Sequence, residues 1–133
     1  MAIDSVAIIG SGTMGRGIAH SAALSGRQVV LFDLTNELLD KAIRSIRQAI
    51  DEGVERGKTK AIAAERAKES IILTADIGEA AWVDLVIEAV PEELELKRKV
   101  FNRLDAMAQP HTILASNTSS LSISAIAAAT HRP

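Results

Sequence analysis

Short apolar runs alternate along this chain with longer segments in which apolar side chains return every third or fourth position. The short runs are Val6–Ile9, Gln28–Asp33, Ile71–Thr74, Leu85–Ala89 and Thr112–Ser116, and each is read as a strand. Between them the spacing predicts helices over Met14–Ser25, closed by Gly26, then Asn36–Glu55 and Ala61–Glu69. Leu39, Ile43, Ile46 and Ile50 line one face of the long second helix. Pro91 suits the opening of another helix, which carries Leu94, Val100, Phe101 and Leu104 and stops before Pro110. Ser122–Ala129 forms a last short one. Strand and helix in regular alternation predict a parallel sheet covered on both faces, and the run Leu85–Ala89, broken only by Glu88, reads as a central strand.

Composition narrows the picture. A length of 133 residues suits one domain, here taken as 1–133, with 47% apolar residues to fill a core. The formal charge is −2, and the balanced charges of Asp51–Ser70 make no basic stripe, so no nucleic-acid partner is expected. No cysteine is present, which excludes disulfides and thiolate chemistry, and no metal site is expected. The first strand begins within a few residues of Met1, leaving no room for a signal peptide, and no run approaches membrane-spanning length. A cytoplasmic location and no membrane partner are the expectation.

The chemistry starts at Gly10-Ser11-Gly12-Thr13-Met14-Gly15, three glycines at the spacing G-x-G-x-x-G between a strand and a helix. Gly10 allows the tight turn, Gly12 lets a pyrophosphate approach the backbone, and Gly15 lets helix and strand pack closely. The helix that follows offers unpaired N–H groups and a positive dipole end to phosphates. Thr13 and Met14, inside the motif, join the glycines as cofactor-binding residues. Eighteen positions after Gly15, Asp33 ends the second apolar run, where its carboxylate can accept hydrogen bonds from ribose hydroxyls and repel a 2′-phosphate. No Arg or Lys follows in Leu34–Glu37, so the expected cofactor is NAD and the fold a Rossmann-type, doubly wound α/β sheet. A cap for the helix near Asn36 is the competing role for Asp33, and it leaves the spacing from Gly15 unexplained.

Two further segments are more specific: Val86-Ile87-Glu88-Ala89-Val90-Pro91-Glu92 with Lys97 behind it, and Leu114-Ala115-Ser116-Asn117-Thr118-Ser119-Ser120-Leu121. With the glycine turn, they make the chain resemble the amino-terminal domain of the 3-hydroxyacyl-CoA dehydrogenases, including the 3-hydroxybutyryl-CoA dehydrogenases. The resemblance covers essentially the whole chain. It implies that Glu92 and Lys97, in the first turns of the helix after strand four, contact the nicotinamide ribose side of NAD. It also implies that Ser119, helped by Asn117, hydrogen-bonds the substrate's C3 oxygen; a hydroxyl can donate to a ketone and accept from an alcohol. On local grounds alone, Glu92 is an acid favoured near a helix N-terminus. On the same grounds Lys97 is a solvated helix lysine, and the serines, Ser122 above all, are turn and cap residues.

The resemblance further implies an oxidoreductase that interconverts (S)-3-hydroxyacyl-CoA and 3-ketoacyl-CoA. The base for that step, a His paired with a Glu, and the helical substrate domain are expected beyond this chain, which alone should bind NAD and turn over little. His20, His111 and His131 read as structural or solvent-facing. Arg56, Lys58 and Lys60 could meet coenzyme A phosphates or form a solvated turn. The parent enzyme is expected to be a homodimer. Two rivals stand beside this reading: a free-standing NAD-binding or sensing module, and another NAD-linked β-hydroxyacid dehydrogenase acting on a free acid. Asn117–Ser120 argues against the second.

Overall fold

The computed structural model describes residues 2–118 and 123–132. Five strands, β1 (Ser5–Ile9), β2 (Gln28–Phe32), β3 (Ile71–Thr74), β4 (Leu85–Glu88) and β5 (Ile113–Ser116), form one sheet in the order β3-β2-β1-β4-β5. Every neighbouring pair is parallel. The last residues of the strands stand in register: Ile9 lies opposite both Phe32 and Glu88, Phe32 opposite Thr74, and Glu88 opposite Ser116. All the loops that leave the strands therefore emerge along one edge. The order reverses between β1 and β4, the switch point at which doubly wound sheets hold their ligands.

Alternation along the strands sorts side chains onto two faces. Val6, Ile8, Val29 and Leu31 pack under α1 (Thr13–Leu24), α2 (Asn36–Glu55) and α3 (Ala61–Glu69). Ala7, Ile9, Phe32 and Val86 face the other way, against α4 (Ile77–Ala81) and Leu104 of α5 (Leu94–Met107). The stripe of α2 is buried as its spacing requires, with Leu39, Ile43, Ile46 and Ile50 all inside. A short helix α6 (Ile123–Ala127) lies beside α5.

Two elements depart from the pattern-based reading. Helix α4 is absent from it, because five residues hold too little of a 3.6-residue period to be seen. It is made by its cap, the Asp76 carboxylate accepting the Gly78 N–H at 2.9 Å, and by the burial of Ile77, Ala80 and Ala81. Helix α5 begins at Leu94 with Glu93 as its N-cap, so Pro91 and Glu92 precede the helix instead of opening it. The Glu93 N–H bonds back to the Pro91 carbonyl at 2.7 Å, a tight turn that delays the first helical residue. The expected cap Ser122 lies outside the described residues.

Candidate functional site

The glycine turn is built from close backbone approaches. Gly10 has φ +110°, and a Cβ there would lie 2.7 Å from the Ala89 carbonyl oxygen. A Cβ at Gly15 would lie 1.9 Å from the Gly10 carbonyl oxygen, so only glycine lets α1 start this near to β1. Gly12 is different: nothing in the protein lies within 4 Å of where its Cβ would be. The space over Gly12 is open, as a group passing close to the backbone requires. Gly12 is also the N-cap of α1 and carries no capping side chain, which leaves the first N–H groups of the helix facing that space.

Asp33 leaves β2 beside this turn. Its Oδ2 accepts the Ser11 N–H at 2.9 Å and the Ser11 hydroxyl at 2.5 Å, while its Oδ1 accepts the Leu34 N–H at 2.8 Å. The carboxylate is thus held in place by the glycine loop itself. It does not cap α2; Thr35 does, its hydroxyl accepting the Leu38 N–H at 3.3 Å. A cleft of about 1000 Å³ opens over these groups, lined among others by Gly10, Gly12, Thr13, Met14, Asp33 and Lys41. Met14, Leu34 and Leu38, all exposed large apolar side chains, line it too. Lys41 lies one helical turn beyond Leu38, past the segment Leu34–Glu37 that holds no cation.

The far end of the cleft is formed by Ala89–Glu92 after β4 and by Asn117 and Thr118 after β5. Asn117 is exposed there, and its N–H bonds to the Glu88 carbonyl at 2.8 Å. Thr118 donates its hydroxyl to Glu92 at 2.8 Å, joining the two loops. Ser119 lies outside the described residues. The cleft brings together Gly10, Gly12, Thr13, Met14, Asp33, Glu92 and Asn117; Gly15, packed against the Gly10 carbonyl, and Lys97, which stands behind the cleft, do not line it.

Lys97 is the surprise. It is fully buried, where an isolated helix lysine reads as solvated. Its ammonium donates to Glu88 at 2.6 Å, to Glu92 at 2.9 Å and to the Val90 carbonyl at 3.2 Å, so all three hydrogens are used within the protein. Burial alone would push the ammonium's pKa down; hydrogen bonds and charge from Glu88 and Glu92 outweigh it and hold the pKa above the ordinary lysine value. Glu88, also fully buried, accepts in addition the Val90 N–H at 2.7 Å and the Ser116 hydroxyl at 2.5 Å. Glu88, Ser116 and Thr118 were not singled out as site residues from the sequence. A signal existed: an acid inside an apolar strand needs a buried partner, and Lys97 follows nine positions later.

The remaining cations and histidines lie elsewhere. Arg56, Lys58 and Lys60 are exposed around the turn between α2 and α3, and none lines the cleft. His111 sits 3.2 Å from Asp84, and neither it, His20 nor His131 lines the cleft.

An open glycine turn, an anchored acid at the end of β2 and a cleft at the switch point define a dinucleotide-binding α/β domain. The chain belongs to the family of 3-hydroxyacyl-CoA dehydrogenase NAD-binding domains, whose profile matches residues 5–133. NAD is the cofactor of that family. The chain is 47% identical over 131 residues to 3-hydroxyadipyl-CoA dehydrogenase of Escherichia coli, covering 98% of this chain and 28% of that protein. It is 38% identical over 133 residues to a probable 3-hydroxybutyryl-CoA dehydrogenase of Bacillus subtilis, covering 100% of this chain and 46% of that protein. The crystal structure of 3-hydroxybutyryl-CoA dehydrogenase from Escherichia coli superposes with a TM-score of 0.97 at 46% identity, over 100% of this chain and 28% of that one. The chain thus spans less than half the length of these relatives. Among the described residues, no helix is long and apolar enough to cross a membrane and no group of side chains is arranged to hold a metal ion.

Proposed function

We propose that this chain is the cofactor-binding part of an NAD-dependent 3-hydroxyacyl-CoA dehydrogenase, interconverting (S)-3-hydroxyacyl-CoA and 3-ketoacyl-CoA. The observation that carries the reading is the single cleft shared by the open Gly12 turn, Asp33 and Asn117. The adenosine ribose is held by Asp33, whose orientation is already set by Ser11. The diphosphate crosses Gly12, Thr13 and Met14 at the start of α1, and the nicotinamide half runs toward Glu92, itself held by Lys97. Bound NAD⁺ supplies the hydride acceptor. Asn117 stands where a side chain can hydrogen-bond the C3 oxygen of a substrate, together with Ser119. The proton acceptor is supplied by a part of the enzyme outside this chain, in keeping with the greater length of the relatives. The acyl-CoA tail is bound mainly by that same part, the parent enzyme is a homodimer, and its location is the cytoplasm.

The test has two arms. Calorimetric titration with NAD⁺ should give saturable binding, and silence at millimolar concentration overturns the reading. Acetoacetyl-CoA and NADH should be turned over only when a separately produced carboxy-terminal half is added. Binding without restored turnover would instead mark a free-standing NAD-binding module.

A further inference from the structure

Glu88 occupies a position that the glycine motif, Asp33 and the serine segment leave unexplained. Its carboxylate is fully buried beneath the far end of the cleft and touches three separate pieces of chain. Oε2 accepts the Val90 N–H at 2.7 Å, from the loop after β4, and the Lys97 ammonium at 2.6 Å, from the first turn of α5. Oε1 accepts the Ser116 hydroxyl at 2.5 Å, from the last residue of β5. The register explains the third contact, because Ser116 is the direct parallel neighbour of Glu88. From these anchors the connections run outward: Lys97 holds Glu92, Ser116 is followed by Asn117, and Thr118 closes the ring by donating to Glu92. Lys97 has all its hydrogens engaged within the protein, by Glu88, Glu92 and the Val90 carbonyl.

We propose that Glu88 is a positioning residue for the nicotinamide half of the cofactor. With Lys97 and Ser116 it locks the loop after β4 to the end of β5, and so sets where Glu92 and Asn117 stand. The inference rests on the cofactor orientation given under Proposed function. A buried charge with three hydrogen bonds has one low-energy arrangement, whereas apolar side chains could slide past one another. That rigidity suits a surface on which a ring must present one face to a substrate.

Two probes separate positioning from simple stability: NAD⁺, which spans both ends of the cleft, and AMP, which reaches only the Asp33 end. Each is titrated by calorimetry into the unsubstituted chain and into the Glu88→Gln and Ser116→Ala variants, with circular dichroism as the check on folding. Glu88→Gln should weaken NAD⁺ about tenfold, the worth of one hydrogen bond to a charged group, and leave AMP within about twofold. Ser116→Ala keeps the ion pair and loses only the tie to β5; it should move NAD⁺ in the same direction by about threefold, with AMP unchanged. Equal weakening of both ligands would show that Glu88 merely holds the fold, and no change in either would show that it does nothing for the site; both results overturn the proposal. Should Glu88→Gln fail to fold, Ser116→Ala decides alone, and an unaltered NAD⁺ to AMP ratio overturns it. An unsubstituted chain that binds AMP but gains nothing from the second half of NAD⁺ refutes the orientation itself, and this inference with it.

Discussion

At the end of the cleft beneath β1 and β2, the key acid is half-buried and held by neutral donors of the glycine loop. At the end beneath β4 and β5, the key acid is sealed from solvent and held by a buried ammonium. Asp33 takes two bonds from Ser11, in the loop that leaves β1, and one from the neighbouring Leu34 N–H. Glu88 takes its bonds from a loop, a helix and a neighbouring strand. The first arrangement keeps a carboxylate at the open cleft; the second buries a carboxylate that ties a loop, a helix and a strand together. One consequence is energetic. Losing Asp33 exposes little, whereas leaving either partner of the buried pair without the other strands a charge in the interior.

The largest effects should come from the buried pair. Lys97→Met leaves Glu88 uncompensated and should cost about 3–5 kcal/mol of stability in denaturant unfolding. The double variant Lys97→Met with Glu88→Gln should recover most of it, and a double variant no better than the single would break the contrast between the two ends. Alkaline pH reaches the same pair. The pKa of Lys97 is raised in the folded chain above its ordinary 10.5, so its stabilising contribution is complete below that value and lost as pH rises through the folded pKa. Stability should therefore fall above pH 10.5 in the unsubstituted chain, and the double variant should lack this part of the fall.

Next come the glycines of the β1 end. Gly15→Ala drives a methyl into the Gly10 carbonyl and should cost about 3 kcal/mol, whereas Gly12→Ala meets no protein atom and should change stability by about 0.5 kcal/mol or less. Both should abolish measurable NAD⁺ binding, one through the fold and the other through the ligand. A Gly12→Ala chain that still bound NAD⁺ normally would remove the diphosphate from this turn. Asp33→Ala should weaken NAD⁺ by about 1.5–3 kcal/mol in calorimetry with only a small shift in unfolding midpoint. A smaller effect on affinity than that of Asp33→Ala is expected of Thr118→Val, which removes the hydroxyl that joins Glu92 to the β5 loop. It should cost about 1 kcal/mol of NAD⁺ affinity and leave AMP binding alone.

Legibility follows the same division. The turn at Gly10–Gly15 and the acid at Asp33 are readable because their geometry is local: a strand end, a tight turn, a helix start and a second strand at a set distance. The stripe of α2 is readable because twenty residues repeat the helical period many times over. Helix α4 escapes because its five residues owe their shape to a cap and to the sheet they cover. The start of α5 is misread by three residues because Pro91 suits a helix opening equally well, and the Glu93 to Pro91 turn was not visible. Glu92 and Lys97 entered through likeness to a family, and by their local pattern alone they read as ordinary helix-end charges. Lys41 was passed over because only its turn of α2 brings it back to the cleft.

What the amino-acid order determined unaided is everything that depends on periodicity and short spacing: five strands in an α/β alternation, the glycine turn, and an acid at the end of the second strand. What only the tertiary structure decided is the partnership of Glu88, Lys97 and Ser116. Those three become neighbours because β4 and β5 pair in register and α5 packs back across them. A buried charge is tolerable only when its partner is brought from elsewhere in the chain, and no local pattern records which residue that will be.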